Sequence, residues 1–553
     1  MASLPLIPAA HQPAFPFERV VLSERPSEDA ISLDVLFVGA GPAGLAGAIE
    51  LAKLVAEDNQ KGGGVGTVEI GVLEKAERLG DHCLSGAVVN PRSFRELFPD
   101  LSDRDFPFRA PVEREKVYLL TSSRAIPVPT PPTMRNRGYY VASICEIVRW
   151  LGQKAEALGV NLFPGFPAAS LLVEGSRVVG VRTAPAGLDR EGRPLSGHLP
   201  ATDVVAKVVV LAEGTRGMLT EGYLRWQGIS SSNPQIYALG VKELWETKRP
   251  LDRVVHTMGW PLDWDTFGGS FMYPLEPNLV ALGLVVGLDS PDASLDVHFL
   301  LQRMKTHPLF RSYLEGGQMV EWGAKTIPEG GYYSLPQRRY GDGVLILGDA
   351  AGLVNVPALK GIHYAMHSGI LAARAIFRAL KAGDTSAARL AEYDRLLESS
   401  FVIRDLYRTR NMRLAFKDGF YAGALKAGLM TLTGGRFPGG KIEIRSDAER
   451  PRTRSSRTHL SPDGRLTFSK VDAVYRSGNA TRDTIPQHLV VPDAVPEEVG
   501  RLYAHLCPAG VYEWVDGKLR VNSPNCVDCK ATDVLGPRWT PREGGAGPKY
   551  QRM

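Results

Sequence analysis

The apolar positions of this chain fall into two rhythms. ISLDVLFVG (31–39) is a continuous run of the length a buried strand takes. After it, Leu45, Ile49 and Leu51 recur at the spacing of an amphipathic helix. TVEIGVLEK (67–75), KVVVLAEG (207–214) and VLILGDA (344–350) are three more strand-like runs, and PALKGIHYAMHSGILAARAIF (357–377) opens a second helix. Farther on, MRLAFKDGFYAGALKAGLMTLTGGRF (412–437) repeats Phe416, Phe420, Ala424, Leu425, Gly428, Leu429 and Leu432 at helical spacing, with Lys417 and Lys426 at the border. Such a stripe suits a helix lying in a membrane's headgroup plane. By periodicity alone it suits ordinary core burial equally well. Strands alternating with helices place the first half of the chain in the α/β class, and short strands with turns after about 465 add an α+β module.

Composition narrows the class. With 553 residues, 44% hydrophobic and 23% charged, the chain is large enough for several cores. A formal net charge of +5 is too mild to call for nucleic acid. Five cysteines without regular spacing do not make a disulfide framework and fit a reducing compartment. No stretch reaches the roughly 20 apolar residues of a membrane span. The N-terminus lacks the charged and apolar regions of a secretory signal, and its first seventeen residues contain no arginine. The expectation is a cytosol-facing bacterial protein.

The sharpest motif is GAGPAG, which puts Gly39, Gly41 and Gly44 in the G-x-G-x-x-G pattern between strand and helix. The first glycine permits the tight turn, the second lets backbone approach a pyrophosphate, and the third lets helix pack on strand. Free N–H groups at the helix start would hold the phosphates. Glu74, at the end of the next strand, is placed to accept hydrogen bonds from a ribose. The interval from glycines to acid exceeds the usual ~20 residues, which the NQKGGGVG insertion (59–66) explains. Gly348-Asp349 resembles the segment that FAD enzymes of the glutathione-reductase and hydroxylase type set beside the ribityl chain and pyrophosphate. The helix that follows is expected to face the flavin ring, and Glu213-Gly214 supplies the matching mid-chain turn. One FAD wrapped by noncontiguous pieces is expected, without a nicotinamide domain. The expected contacts are Gly39, Gly41, Pro42, Ala43, Gly44, Glu74, Lys75, Ser85, Gly86, Ala87, Glu213, Gly214, Gly348, Asp349, Asn355, Gly361 and Ile362.

Other stretches are more specific: LGDHCLSGAVVNPRSFRELFPD, IVRWLGQKAEALGV, ALGVKELWE, HTMGWPLDWDTFGGSFMYPL, LVALGLVVGLD, NVPALKGIHYAMHSGILAA, CPAGVYEWV, NCVDCK and EGGAGPKY. With these the chain resembles, nearly end to end, the electron-transfer flavoprotein–ubiquinone oxidoreductase family. The resemblance implies FAD, one 4Fe-4S cluster, a ubiquinone pocket that includes the paired glycines Gly268 and Gly269, and monotopic attachment to the membrane surface. Electron-transfer flavoprotein is the implied donor. It also implies that Cys507, Cys526 and Cys529 are three of four cluster ligands, with Thr532 where the fourth cysteine would stand.

Three thiolates leave the metal open. A three-cysteine 4Fe-4S cluster with Thr532, Asp533 or water on the fourth iron, a 3Fe-4S cluster, a zinc site using His505, and an empty vestige all fit the sequence. Cys83 and Cys145 read as small apolar residues. The expected organisation is an N-terminal extension (1–30) and an FAD-binding domain from 31–90, 140–225 and 335–390. A quinone- and membrane-facing domain comes from 91–139 and 226–334, with a strand hairpin in VYLLTSSRAIPVPTPP near the membrane. A helical membrane-surface segment with a basic linker spans 391–464, and a ferredoxin-like module 465–553. In the linker, Arg445, Arg450, Arg452, Arg454 and Arg457 either touch anionic lipid or form a solvated connector. The expected protein is a monomeric electron-transferring-flavoprotein dehydrogenase, peripheral on the cytoplasmic face of the bacterial inner membrane, with no side chain in an acid–base or nucleophilic role. The alternatives are a flavin-dependent reductase or hydroxylase of a prenyl-type substrate, a flavin-only quinone reductase with a vestigial cluster site, and a membrane-docked adaptor without turnover.

Overall fold

The computed structural model describes residues 5–86, 88–455 and 460–553. Ala87 and Arg457 lie outside the described residues. The first of two large sheets has nine strands. At its centre Asp203–Leu211, Ile31–Val38, Ile70–Glu74 and Asn161–Pro164 run parallel, and Val344–Ile346 lies parallel to the end of Asp203–Leu211. Val35, Leu36 and Phe37 are successive yet all fully buried. A strand covered on both faces reads as an unbroken apolar run, which is why these runs do not alternate.

Register sets where this sheet ends. Val38 lies opposite both Leu73 and Leu211, and Leu211 opposite Ile346. Four parallel strands therefore stop at one level. The chain leaves them through Gly39, Glu74, Ala212 and Leu347, all around one crevice. The helix Pro42–Gln60 springs from the first of these exits and packs on Ile362–Lys381. Small residues allow the close crossing, since a Cβ on Gly369 would sit 2.2 Å from the Ala43 carbonyl oxygen.

The second sheet has seven strands, in the order Gln318–Pro328, Tyr237–Glu246, Leu279–Gly287, Gly268–Glu276, Val254–Gly259, Glu115–Leu120, Ala125–Val128. All neighbours are antiparallel except Val254–Gly259 with Glu115–Leu120. The last two strands form the hairpin expected in VYLLTSSRAIPVPTPP. The C-terminal residues pack on this sheet's open edge strand, where Thr326 N–H donates to the Cys529 carbonyl at 3.0 Å. The tail then returns to the first domain: Arg149 donates to the carbonyls of Tyr550 and Gln551, and Tyr550 is buried.

Several segments differ from expectation. The strands expected after 465 begin instead with a helix, Lys470–Tyr475, because Ser469 and Asp472 form a reciprocal capping box. Arg92–Leu97, Glu392–Ser399 and Phe401–Arg408 bury Phe94, Leu97, Leu397, Val402 and Leu406 in the core of the dinucleotide-type domain, so that core reaches past the segments assigned to it. Much of the basic linker is neither solvated nor free for lipid. Arg452 is buried and donates to the Leu288 and Ser290 carbonyls, Arg450 pairs with Asp289, and Arg454 pairs with Asp263 and Asp265.

The second sheet is closed on one face by the helix Val297–Lys305 over a fully buried ion pair. Lys305 Nζ lies 2.9 Å from Glu243 Oε2 and 3.0 Å from Oε1, and Trp245 Nε1 and Gln302 Nε2 also donate to this carboxylate. Removing one partner strands the other charge away from water. Lys305→Met is expected to cost about 3–5 kcal/mol and to lower the melting temperature in a thermal scan. Lys305→Met combined with Glu243→Gln is expected to recover much of the loss.

Candidate functional site

The crevice at the strand ends opens into a cavity of about 990 Å³ that runs through the molecule. Its wall starts at Gly39, Gly41, Pro42, Ala43, Glu74, Lys75, Ser85, Gly86, Glu213, Gly214, Asp349, Gly361 and Ile362. It continues past Gly268 and Gly269 to Phe416, Phe420, Ala424, Leu425, Gly428, Leu429 and Leu432. The expected cofactor segments, the paired glycines and the apolar helix thus share one space.

Three expected contacts stand behind the wall. A Cβ on Gly44 would strike the Gly39 carbonyl at 2.1 Å, so Gly44 serves helix–strand packing. Gly348 takes a φ of +57° against Ala43 and Ala365. Asn355 exchanges backbone hydrogen bonds with Lys360 and accepts from Ala358 N–H, holding the loop before the second helix. Two acids on the wall are fixed by backbone. Glu74 accepts from Ala40 N–H at 3.0 Å and Ala76 N–H at 2.9 Å. Glu213 caps Met218–Trp226 by accepting from Leu219 and Thr220. Its carboxylate is therefore a helix cap, and what it offers the cavity is backbone.

The wall suits an FAD. A Cβ at Gly41 would meet nothing within 4 Å, whereas Gly39, at φ +109°, would press a Cβ to 2.5 Å from the Ala212 carbonyl. The first glycine is thus demanded by the fold and the second by what lies over it. Ser85 Oγ, Thr326 Oγ1, His82 Nδ1 and His363 Nδ1 are buried along this wall without a hydrogen-bond partner among the described residues, and bound ligand oxygens would satisfy them. Burial pushes the Asp349 carboxyl up to about 6 and pulls the Lys360 ammonium down to about 7.

The paired glycines are required by the sheet itself. A Cβ at Gly268 would lie 2.3 Å from the Val285 carbonyl, and one at Gly269 would lie 2.7 Å from that of Thr257. Side chains are excluded there, and backbone is left bare toward the cavity.

Cys507, Cys526 and Cys529 are all buried and mutually close. Burial raises the Cys529 thiol, and Cys507 and Cys526 raise it further. Tyr512 is buried near them, and its hydroxyl lies 3.5 Å from Thr532 Oγ1. Three buried cysteines that influence one another fit an iron–sulfur cluster, whose irons would hold the sulfurs as thiolates. Asp533 does not join them: Arg216 Nε approaches its carboxylate at 2.5 Å and Trp539 N–H donates to it at 2.9 Å. The imidazole grouped with a cysteine is His488, beside Cys526 and Asp528, rather than His505. Asp528 is no free ligand either, because Lys75 at 2.6 Å, Trp539 Nε1 at 2.9 Å and Arg542 at 3.0 Å donate to it. Burial opposes charge on Asp528, but Arg542 and Lys75, with His82 and His488, outweigh it and hold the carboxyl well below the usual range. Lys75 and His82 both line the cavity, so Asp528 ties the cysteine loop to the cofactor wall. Sequence reasoning missed Asp528, although its place between two cysteines was a signal. It also missed His82, Lys325, Lys360, Glu329 and Arg413 on the wall.

Known proteins agree with this arrangement. Residues 237–327 match a family model described as ETF-QO, ubiquinone-binding, and residues 464–551 one described as electron transfer flavoprotein-ubiquinone oxidoreductase, 4Fe-4S. The chain is 40% identical to the mitochondrial electron transfer flavoprotein-ubiquinone oxidoreductase of Oryza sativa subsp. japonica, over 95% of this chain and 94% of the relative. Against that of Homo sapiens the identity is 38%, over 96% and 90%. A geranylgeranyl bacteriochlorophyll reductase-like structure from Thermoplasma acidophilum aligns with a TM-score of 0.57 at 19% identity, covering 74% of this chain and 96% of that one. The myxobacterial chondrochloren halogenase, an FAD-dependent halogenase, aligns with a TM-score of 0.52 at 19% identity, covering 76% and 95%. These two structures share the fold.

Three outcomes follow from the geometry. Gly41→Val has room to fold, so it is expected to keep its circular dichroism and melting behaviour as apoprotein. It should bind FAD on the order of 100-fold more weakly, about 2.7 kcal/mol, as read by flavin absorbance after gel filtration. Cys529→Ser is expected to lose the iron and acid-labile sulfide while keeping flavin. Thr532→Cys is expected to survive air exposure longer than the natural chain, as measured by iron and sulfide analysis with EPR.

Proposed function

Because the chain belongs to the electron-transfer flavoprotein–ubiquinone oxidoreductase family, we propose that it takes electrons from reduced electron-transfer flavoprotein and delivers them to ubiquinone at a membrane surface. The observation that carries this reading is the single cavity joining the dinucleotide wall, the paired glycines and the apolar helix. FAD and an iron–sulfur cluster, when bound, supply the one- and two-electron chemistry. The chain's own residues do the placing. Gly39 to Ala43 and the helix behind them hold the pyrophosphate, and Ser85, Thr326 and Asp349 face the rest of the cofactor. Gly268 and Gly269 offer backbone to a quinone carbonyl. Cys507, Cys526 and Cys529 hold the cluster against the cofactor wall through Asp528 and the Thr326–Cys529 hydrogen bond. With Thr532 where a fourth cysteine would stand and Asp533 engaged elsewhere, a cluster held here would have three thiolate ligands and only hydroxyl or water besides, a weaker ligand that would leave it prone to lose an iron on oxidation. A hydroxylase or an adaptor would have no use for these cysteines. The test is anaerobic mixing of the holoenzyme with reduced electron-transfer flavoprotein and decylubiquinone. Quinol formation is the expected result, and flavin reduction by the partner without quinol formation would sink the assignment.

The membrane contact is also our reading. No helix among the described residues is long and apolar enough to cross a membrane. In the helix Phe420–Leu432, Tyr421 and Leu425 are 70% exposed and Leu432 is 85% exposed, while Phe420 and Leu429 line the cavity mouth. Trp264, whose carbonyl accepts from Phe420 N–H, is also exposed, as is Ile126 in the strand Ala125–Val128. An apolar rim around the mouth lets a long-tailed quinone pass from lipid to protein without crossing water. We place the protein as a peripheral monomer on the cytoplasmic face of a bacterial inner membrane. Tyr421→Asp with Leu432→Asp is expected to abolish co-sedimentation with liposomes and to slow reduction of long-tailed ubiquinone at least tenfold, about 1.4 kcal/mol, while short-tailed decylubiquinone is spared.

A further inference from the structure

Reducing a quinone to a quinol takes two protons as well as two electrons. Among the described residues four acidic residues line the cavity: Glu74, Glu213, Asp349 and Glu329. The first two are tied to backbone amides, and Asp349 sits at the strand ends of the dinucleotide wall. Glu329 is different. It follows the strand Gln318–Pro328, is 3% exposed, and gives one oxygen, Oε2, to Arg413 Nε at 2.7 Å. Its other oxygen has no protein partner among the described residues, and the side chain is on the cavity wall. Arg413 lies over the ring of Phe267 at 4.0 Å, directly before Gly268, so this acid stands at the paired-glycine end.

We propose that Glu329 is the acid that protonates one quinone oxygen during reduction, with Arg413 as its positioning residue. The carboxyl O–H bond breaks as the quinone O–H bond forms. The two electrons come from the bound cofactors, and the second proton comes from water at the cavity mouth. The carboxylate left behind faces the Arg413 guanidinium, which stabilises it until water at the mouth restores its proton. The charges around it are set for this exchange. Arg413 Nη2 also donates to Asp289 at 2.9 Å, and Asp289 accepts from Arg450 at 3.1 Å. Behind them lie Arg452 and Asp447, whose Oδ1 is buried without a hydrogen-bond partner among the described residues. Burial and the neighbouring Asp289 push the Asp447 carboxyl up to about 8. Burial likewise raises Glu329 above the usual carboxylate range against the pull of Arg413, so it holds a proton at higher pH than a free glutamate. The sign follows: a donor must be protonated, so the rate is full below its pKa and falls as pH rises through it.

This inference rests on the quinone reading, and the test separates the two. The holoenzyme is reduced by electron-transfer flavoprotein and offered decylubiquinone or ferricyanide, an acceptor that takes an electron without a proton. Glu329→Gln keeps an oxygen for Arg413 but has no acidic proton. It is expected to lower kcat with decylubiquinone at least ~100-fold, with KM little changed and the fall at high pH gone. Flavin and iron content and the ferricyanide rate should match the natural chain. Glu329→Asp is expected to keep a pH-dependent, slower quinone reaction. Equal losses with both acceptors, or an unaltered quinone rate and pH profile in Glu329→Gln, would overturn the proposal. If Glu329→Gln does not fold, single-turnover quinone reduction by the natural chain in heavy water decides. A solvent isotope effect on quinone and none on ferricyanide is expected, and its absence rejects the role. A natural chain that reduces ferricyanide but not decylubiquinone would instead refute the quinone reading.

Discussion

The site depends on a register. Val38, Leu73, Leu211 and Ile346 stand level across four parallel strands, so four chain exits meet at one edge of one sheet. Parallel strands force this, because each must return by a crossover and re-enter from the same end. A slip of one residue would turn each strand's side chains to the opposite face and move its exit by about 3.3 Å. The fully buried run Val35-Leu36-Phe37 makes such a slip costly, since both faces of the strand are packed. Gly39 then turns against the Ala212 carbonyl with no room for a side chain, which fixes the start of the helix that faces the crevice.

The second sheet and the cysteine module are fastened to that edge by few but strong contacts. Lys242, fully buried in the second sheet, donates to the Ser85 carbonyl at 3.0 Å. Asp528 receives Lys75 from the dinucleotide domain, and Arg542 and Trp539 from its own module. A buried carboxylate with this many donors costs little only while all of them are present. The same turn that carries Cys526 and Cys529 is thereby held to the wall of the cavity by an ion network rather than by a loop. Lys75 and Lys530 also flank the Trp539 ring at 4.8 and 4.4 Å, adding cation–π attraction to the same joint.

What the sequence disclosed was what local chemistry dictates. The glycine loop and the apolar strands each lie within a few consecutive residues, and the fold class and the dinucleotide site could be read from them, whereas three cysteines left the metal open and the cluster came from the family resemblance. Contacts between distant residues were not legible. Arg413 and Glu329 are 84 positions apart, and nothing near either one announces the other. Arg450, Arg452 and Arg454 looked like a basic run either touching lipid or solvated, because composition cannot show that Asp289, Asp263 and Asp265 wait across the fold. Glu213 looked like a ligand contact because its motif ends a strand, yet the helix after it needed a cap and took the carboxylate. The apolar stripe was ambiguous by periodicity, and the structure uses its residues two ways: Phe420 and Leu429 face the cavity mouth while Tyr421 faces outward.

Charged groups stand along the whole cavity. At the dinucleotide end Lys75 is held by Asp528, Arg216 by Asp533, and Glu74 and Glu213 by backbone amides, so the charges there are fixed. The paired-glycine end instead alternates acid and base, Glu329 with Arg413, then Asp289 with Arg450. A fixed excess of positive charge there would bind a semiquinone anion and hold back its protonation, whereas a balanced set lets charge appear and vanish on one carboxyl at low cost. Electrons need only proximity and potential, so the cofactor end is built from backbone, sulfur and fixed charge. Protons need a group that gains and loses them, and at the paired-glycine end the chain keeps Glu329, a carboxyl for which that is the ordinary chemistry.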